Sequence, residues 1–239
     1  DIAGAEKMDS KINVLGIYID NYTGKEAMKE AVGYMESDPV NIVELLTVDA
    51  VMDVDLQQET KEQLRSFDLV LAGDKTILEA ADVEEKRCLQ ETENHLFMKM
   101  FLRYLHKNHK RVYLLVETQE EGEAFFQYLE HYYRGIQIVG MAKASAENRA
   151  DDMLVNAING AETDCVLSML CSPLQEDFAA KNRALLNTRI LFGMGKAAPP
   201  WKETSFGKEK VTRFFTRRIF RKEMEKQKAE SDRKVGAHI

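Results

Sequence analysis

No run of apolar residues in the chain approaches the ~18 needed to cross a bilayer, and nothing before Lys11 has the pattern of a secretory signal. Both absences point to a cytoplasmic protein. Cysteine is scarce: Cys88, Cys165 and Cys171 have neither paired spacing nor histidines at metal-ligand intervals. That argues against a disulfide framework or a structural zinc site, and the three read as buried thiols in a reducing compartment. Of the five histidines, His95, His106 and His109 fall on or near one helical segment and read as solvated residues on its face, not as metal ligands. No G-x-G-x-x-G follows a candidate strand, which removes nicotinamide enzymes and leaves no cofactor expected. No internal repeat or low-complexity segment occurs.

What is present suits one α/β domain with an appendage. At 239 residues and 44% hydrophobic content the chain can bury one substantial core. Its net charge of −7 conceals an asymmetry, because residues 202–239 carry twelve Lys and Arg against six Asp and Glu. That segment is near +6, leaving about −13 on the rest. Residues 1–10 lack periodicity and read as a disordered leader.

The stretch from Asp164 to Gly195 organises the reading. Cys165 to Leu170 is an unbroken apolar run suited to a strand covered on both faces. Ser172 and Pro173 then read as N-cap and first residue of a helix reaching about Leu186, and Thr188 to Phe192 is a second strand. Upstream, strands are expected at Ile12–Ile19, Asn41–Thr47, Phe67–Leu71, Arg111–Val116 and Ile136–Gly140. Helices are expected at Lys25–Glu36, Asp49–Ser66, Thr76–Ala81, Asn94–His106, Glu120–Tyr132 and Glu147–Ile158. The alternation is that of a Rossmann-like, mostly parallel sheet with helices on both faces over residues 11–195. Ala198, Pro199, Pro200 and Trp201 break the pattern as a linker, and a basic helix over Lys208–Lys228 completes the appendage of residues 196–239.

The order of motifs resembles that of the WecG/TagA/CpsF family of bacterial glycosyltransferases. The family's S-P-x-Q-E and following aromatic stand here as Ser172, Pro173, Leu174, Gln175, Glu176 and Phe178. Its later N-R is Asn182 and Arg183, its G-x-G is Gly193, Met194 and Gly195, and its A-P-x-W matches the segment ending at Trp201. Its front pattern, G-x-x-[IF]-D-x-x-T, runs from Gly16 through Asp20 to Thr23. The chain also departs from the family. T-P-N is replaced by Thr47, Val48, Asp49, and the L-P-D-G turn by Leu71, Ala72, Gly73, Asp74, with Gly and Asp reversed. Val116 and Glu117 replace two glycines, Arg87 alone remains of an Arg and G-S-D stretch, and A-F-D is missing after Gly195.

The resemblance implies transfer of an N-acetylhexosamine, N-acetylmannosamine or a relative, from a UDP-sugar to a lipid-linked acceptor. The setting is teichoic acid or other surface polysaccharide synthesis at the inner face of the cell membrane. Such a transfer needs a base for the acceptor proton and donors for the charge developing on the diphosphate. Asp74 is the expected base by position, with Asp49 second; the plainer reading of Asp74 is the N-cap of the helix starting at Lys75. Thr47, Asp49, Arg87 and Gln175 are expected substrate contacts, the first two alternatively forming a turn. Arg213, Arg217 and Arg218 are expected at the diphosphate. The helix that carries them has an apolar stripe of Val211, Phe214, Phe215 and Ile219, which can lie on an anionic membrane or dock on its own domain or a second subunit of a homo-oligomer. Nucleic acid is not an expected partner. The altered turn at Gly73 and Asp74 leaves open a relative that binds sugar nucleotides or assembles with an active enzyme without catalysing.

Overall fold

The computed structural model describes residues 11–38, 40–147, 149–196 and 208–236, with side chains of the last segment described over 216–234. The expected leader and the linker at residues 198–201 lie outside the described residues. The fold is Rossmann-like: a six-stranded, wholly parallel sheet with helices on both faces.

The chain opens with a hairpin of β1 (Lys11–Val14) and β2 (Ile17–Asp20), where one strand was expected. Its turn places Leu15 and Gly16 at positive φ, and a leucine there carries no turn signal in the sequence. Helix α1 (Gly24–Met35) follows, started by a capping box between Thr23 and Glu26. Strand β3 (Asn41–Leu46) leads into α2 (Val48–Asp55) and α3 (Gln58–Arg65), two helices where one was expected from Asp49 to Ser66. The break falls at Leu56 and Gln57, and Leu56 is 84% exposed, so the apolar face does not continue through it. Next come β4 (Leu69–Ala72), α4 (Lys75–Ala80), α5 (Lys86–Glu93) and α6 (Leu96–Lys107). Helix α5 was not anticipated; it buries only Cys88 and so has no apolar periodicity.

The second half alternates as expected: β5 (Arg111–Val116), α7 (Gln119–Tyr132), β6 (Gln137–Lys143), α8 (Asp151–Gly160), β7 (Cys165–Ser168), α9 (Leu174–Asn182) and β8 (Ile190–Gly193). The last element is α10 (Lys208–Gly236). Helix α9 starts one residue later than expected, and ends at Asn182 instead of about Leu186. Ser172 does not cap it; its hydroxyl donates instead to the Glu176 carboxylate.

Strand order is β4-β3-β8-β7-β5-β6. The four central strands are buried on both faces, and their alternating side chains feed two cores. One holds Ile42, Leu46, Val166 and Leu191 with α2, α8, α9 and the hairpin. The other holds Val43, Leu114, Leu167 and Phe192 with α1, α6 and α7. Helix α10 lies against α2 and α4, and it contributes Phe220, with no exposed surface, and Met224 to the first core. Among the described residues no helix is long and apolar enough to cross a membrane.

Candidate functional site

In an open parallel sheet the loops at the carboxyl ends of the strands surround the crevice where ligands bind. Here the ends of β3, β4 and β8 deliver Thr47, Gly73 with Asp74, and Lys196 to one cavity of about 110 Å³. Thr92, Glu93 and His95, where α5 meets α6, form a second wall, and Thr216 and Arg217 of α10 a third. The volume is below the ~300–1,000 Å³ of pockets that enclose a whole small molecule. It suits the reacting end of a larger ligand. A narrower cavity of about 40 Å³ continues from it under Gly73, between Asp20 and Phe97.

The two side chains after β3 are set by helix initiation. Thr47 caps α2, its hydroxyl oxygen accepting the Ala50 N–H at 3.1 Å. Asp49 follows in the first turn of α2 and is exposed toward the cavity. Its carboxylate has no hydrogen-bond or ion-pair partner among the described residues.

Both oxygens of Asp74 accept hydrogen bonds. Its Oδ1 accepts the Thr76 N–H at 2.8 Å, capping α4, and its Oδ2 accepts Arg217 Nη2 at 2.7 Å and Nε at 3.2 Å. Burial pushes the carboxyl up, but the Thr76 N–H and the Arg217 guanidinium outweigh it and hold it below the ordinary value. Gly73 is there for space: a Cβ would sit 2.8 Å from the carbonyl oxygen of Leu46, which accepts the Gly73 N–H.

Each cation lining the cavity is met by a carboxylate. Besides Arg217, Lys75 Nζ lies 2.6 Å from Glu93 Oε1, and Lys196 Nζ lies 3.0 Å from Glu117 Oε2 and 2.7 Å from Glu121 Oε1. Burial disfavours the Lys196 charge, yet these two carboxylates hold the ammonium well above its ordinary pKa. Burial and the same Glu117 push the Cys171 thiol up to about 12. Glu117 stands where the family pattern has glycine, so its charge is answered by Lys196 from the end of a strand two places away.

Gln175 does not line the cavity. Glu44, Gly193 and Ser168 stand side by side across β3, β8 and β7, and Gln175 of α9, with no exposed surface, lies over Gly193 between them. The Ser168 hydroxyl donates to Gln175 Oε1, while Gln175 Nε2 faces the Glu44 carboxylate. Burial, then the charge of Glu176, pushes the Glu44 carboxyl well up, and burial likewise raises Glu176. A Cβ at residue 193 would lie 2.2 Å from Glu44 Oε2, which is why the first glycine of the G-x-G is required.

Of the remaining expected contacts, Arg87 is on the exposed side of α5 with its Nε 2.8 Å from Glu91 Oε1, away from the cavity. Arg218 is exposed on α10 and does not line the cavity, and the side chain of Arg213 lies outside those described. Thr47, Asp49, Asp74 and Arg217 are thus brought together. Lys75, Glu93, His95 and Lys196 were missed; the one signal was the charge of Glu117 in place of a family glycine, which calls for a cation such as Lys196 beside it. Among the described residues no three His, Cys, Asp or Glu side chains group to hold a metal ion.

No curated protein matches the chain. The model of the glycosyl transferase WecG/TagA/CpsF family matches residues 12–201, from the hairpin through all six strands of the sheet to the segment ahead of α10. With four fifths of its length covered by that match, the chain belongs to the WecG/TagA/CpsF family of glycosyltransferases.

Proposed function

We propose that the chain transfers an N-acetylhexosamine of the N-acetylmannosamine type from a UDP-sugar to a lipid-linked acceptor, as a step in cell-wall or surface polysaccharide synthesis. The observation that carries this reading is the meeting of Thr47, Asp49, Asp74 and Arg217 in one cavity at the strand ends of the family's fold. A carboxylate there takes the proton of the acceptor hydroxyl as its oxygen attacks the anomeric carbon. The bond from that carbon to the diphosphate oxygen breaks, and the departing charge is met by guanidinium donors. Arg217 supplies one, and Arg213 of the same helix is the further candidate, Arg218 being turned away from the cavity. The family's base position falls on Gly73, so Asp74 takes that role only with the turn shifted by one residue, while Thr47 and Asp49 stand at the family's sugar contacts. Peripheral contact of α10 with an anionic membrane at the inner face brings the acceptor to the cavity; exposed Arg218, Ile219 and Lys222 support it.

A second reading, a relative that binds donor without transferring, is favoured by one observation: both oxygens of Asp74 are already committed. Calorimetry with UDP and UDP-N-acetylhexosamines, followed by a transfer assay on a polyprenyl-linked acceptor, separates the two. Binding with turnover supports the transferase, binding without turnover the second reading, and no binding rejects both.

A further inference from the structure

We infer that Asp49, not Asp74, is the general base of this chain. The inference rests on the transferase reading and changes the residue that carries its chemistry. A general base must present a free lone pair to the acceptor hydroxyl within hydrogen-bond reach. Asp74 is the poorer candidate: the Thr76 N–H on Oδ1 and two Arg217 donors on Oδ2 leave it one lone pair, on Oδ1, and they stabilise the carboxylate at the expense of its proton affinity.

Asp49 meets the requirement. It lines the same cavity from the end of the neighbouring strand β3, is exposed, and has no partner among the described residues. The sequence changes that separate this chain from its family fall on these two places together. An aspartate stands at 49 where the pattern has an amide, and the carboxylate after β4 is displaced by one residue into a helix cap. The amide-to-acid change supplies a base as the other carboxylate becomes the anchor of Arg217. Asp74 is on this account a positioning residue: it sets Arg217 over the cavity for the diphosphate, acting on donor binding and not on proton removal.

The test uses the full chain, with UDP-N-acetylmannosamine and UDP-N-acetylglucosamine as donors and a polyprenyl-linked acceptor. Asp49→Asn should lower kcat by about two to four orders of magnitude, with donor Kd by calorimetry and the melting temperature held, and Asp49→Glu should recover part of the loss. Asp74→Asn should act on donor Kd and KM, with kcat at saturating donor kept within about tenfold. Loss of kcat in Asp74→Asn with turnover retained by Asp49→Asn overturns the assignment and leaves the transferase reading intact. A wild type that binds donor and transfers nothing overturns that reading and this assignment with it.

Discussion

Phe220→Ala is the sharpest probe of how the appendage serves the cavity. Phe220 has no exposed surface and Met224 is 5% exposed, both packed in the core beneath α2 and α4. Three ion pairs also join α10 to the domain: Arg217 to Asp74, Arg221 to Glu79 and Lys228 to Asp82. Their cationic partners are 42%, 61% and 46% exposed, so water screens each to about 0–1 kcal/mol. Burying Phe220 and Met224 contributes ~1.5–3 kcal/mol each, so the apolar pair dominates the docking. Truncating the ring should cost about 3–5 kcal/mol. For a domain of this size that is a fall in melting temperature of roughly 6–20 °C if the protein unfolds in one transition. If α10 leaves separately, the main transition moves less and trypsin, for which α10 offers many sites, cuts it far faster. Either way Arg217 loses its support and donor affinity drops. An unchanged melting temperature together with an unchanged tryptic pattern would refute the packing argument. Release of α10 from the wild type by about 0.5 M salt would show that charge, not apolar burial, holds it.

The buried carboxyl of Glu44 gives a pH prediction. Its folded pKa is raised by burial and by Glu176, so from about pH 4.5 upward the folded state holds more protons than the unfolded one, and stability falls as pH rises. Glu44→Gln cannot titrate and should gain stability over the wild type between pH 5 and pH 8; parallel urea midpoints across that range would count against it. Gly73→Ala should cost about 1–3 kcal/mol by forcing β4 away from the Leu46 carbonyl, measured by urea unfolding, and an unaffected midpoint would show the loop relaxes freely. The thiols of Cys88, pushed up to about 11, and Cys171, pushed up to about 12, should alkylate slowly at pH 7.5 in the native protein and fully in urea. Rapid native labelling at Cys171 would mean that Glu117 does not face it.

The sheet was legible because five of its six strands are covered on both faces and so read as apolar runs, as at Arg111–Val116 and Cys165–Leu170. What the sequence concealed depends on particular side chains. Leu15 takes a positive φ beside Gly16, where the sequence offers only the glycine as a turn signal, and α5 packs almost entirely through polar side chains. At the site, the strand-end rule located Thr47, Asp49 and Asp74. It could not tell that Asp74 would be taken by Arg217, because that contact joins residues 143 apart in sequence. Gln175 carries a family motif, yet whether a residue after a strand faces the crevice or folds back beneath it is set by register across β3, β8 and β7.

That register has its own consequence for how the chain finds one structure. Sliding β8 by two residues against β3 would keep every side chain on its original face, so the apolar pattern alone does not forbid the slip. It would, however, bring Leu191 to the place of Gly193, driving a branched side chain into the space that Glu44 and Gln175 share. The leucine would also part Gln175 Nε2 from the Glu44 carboxylate that it faces. The row of Glu44, Gly193 and Ser168 under Gln175 works as a key cut for a single lock. It makes misaligned sheets costly in a fold whose parallel strands must pair over long stretches of chain, and does so in the strands whose ends carry Thr47 and Lys196.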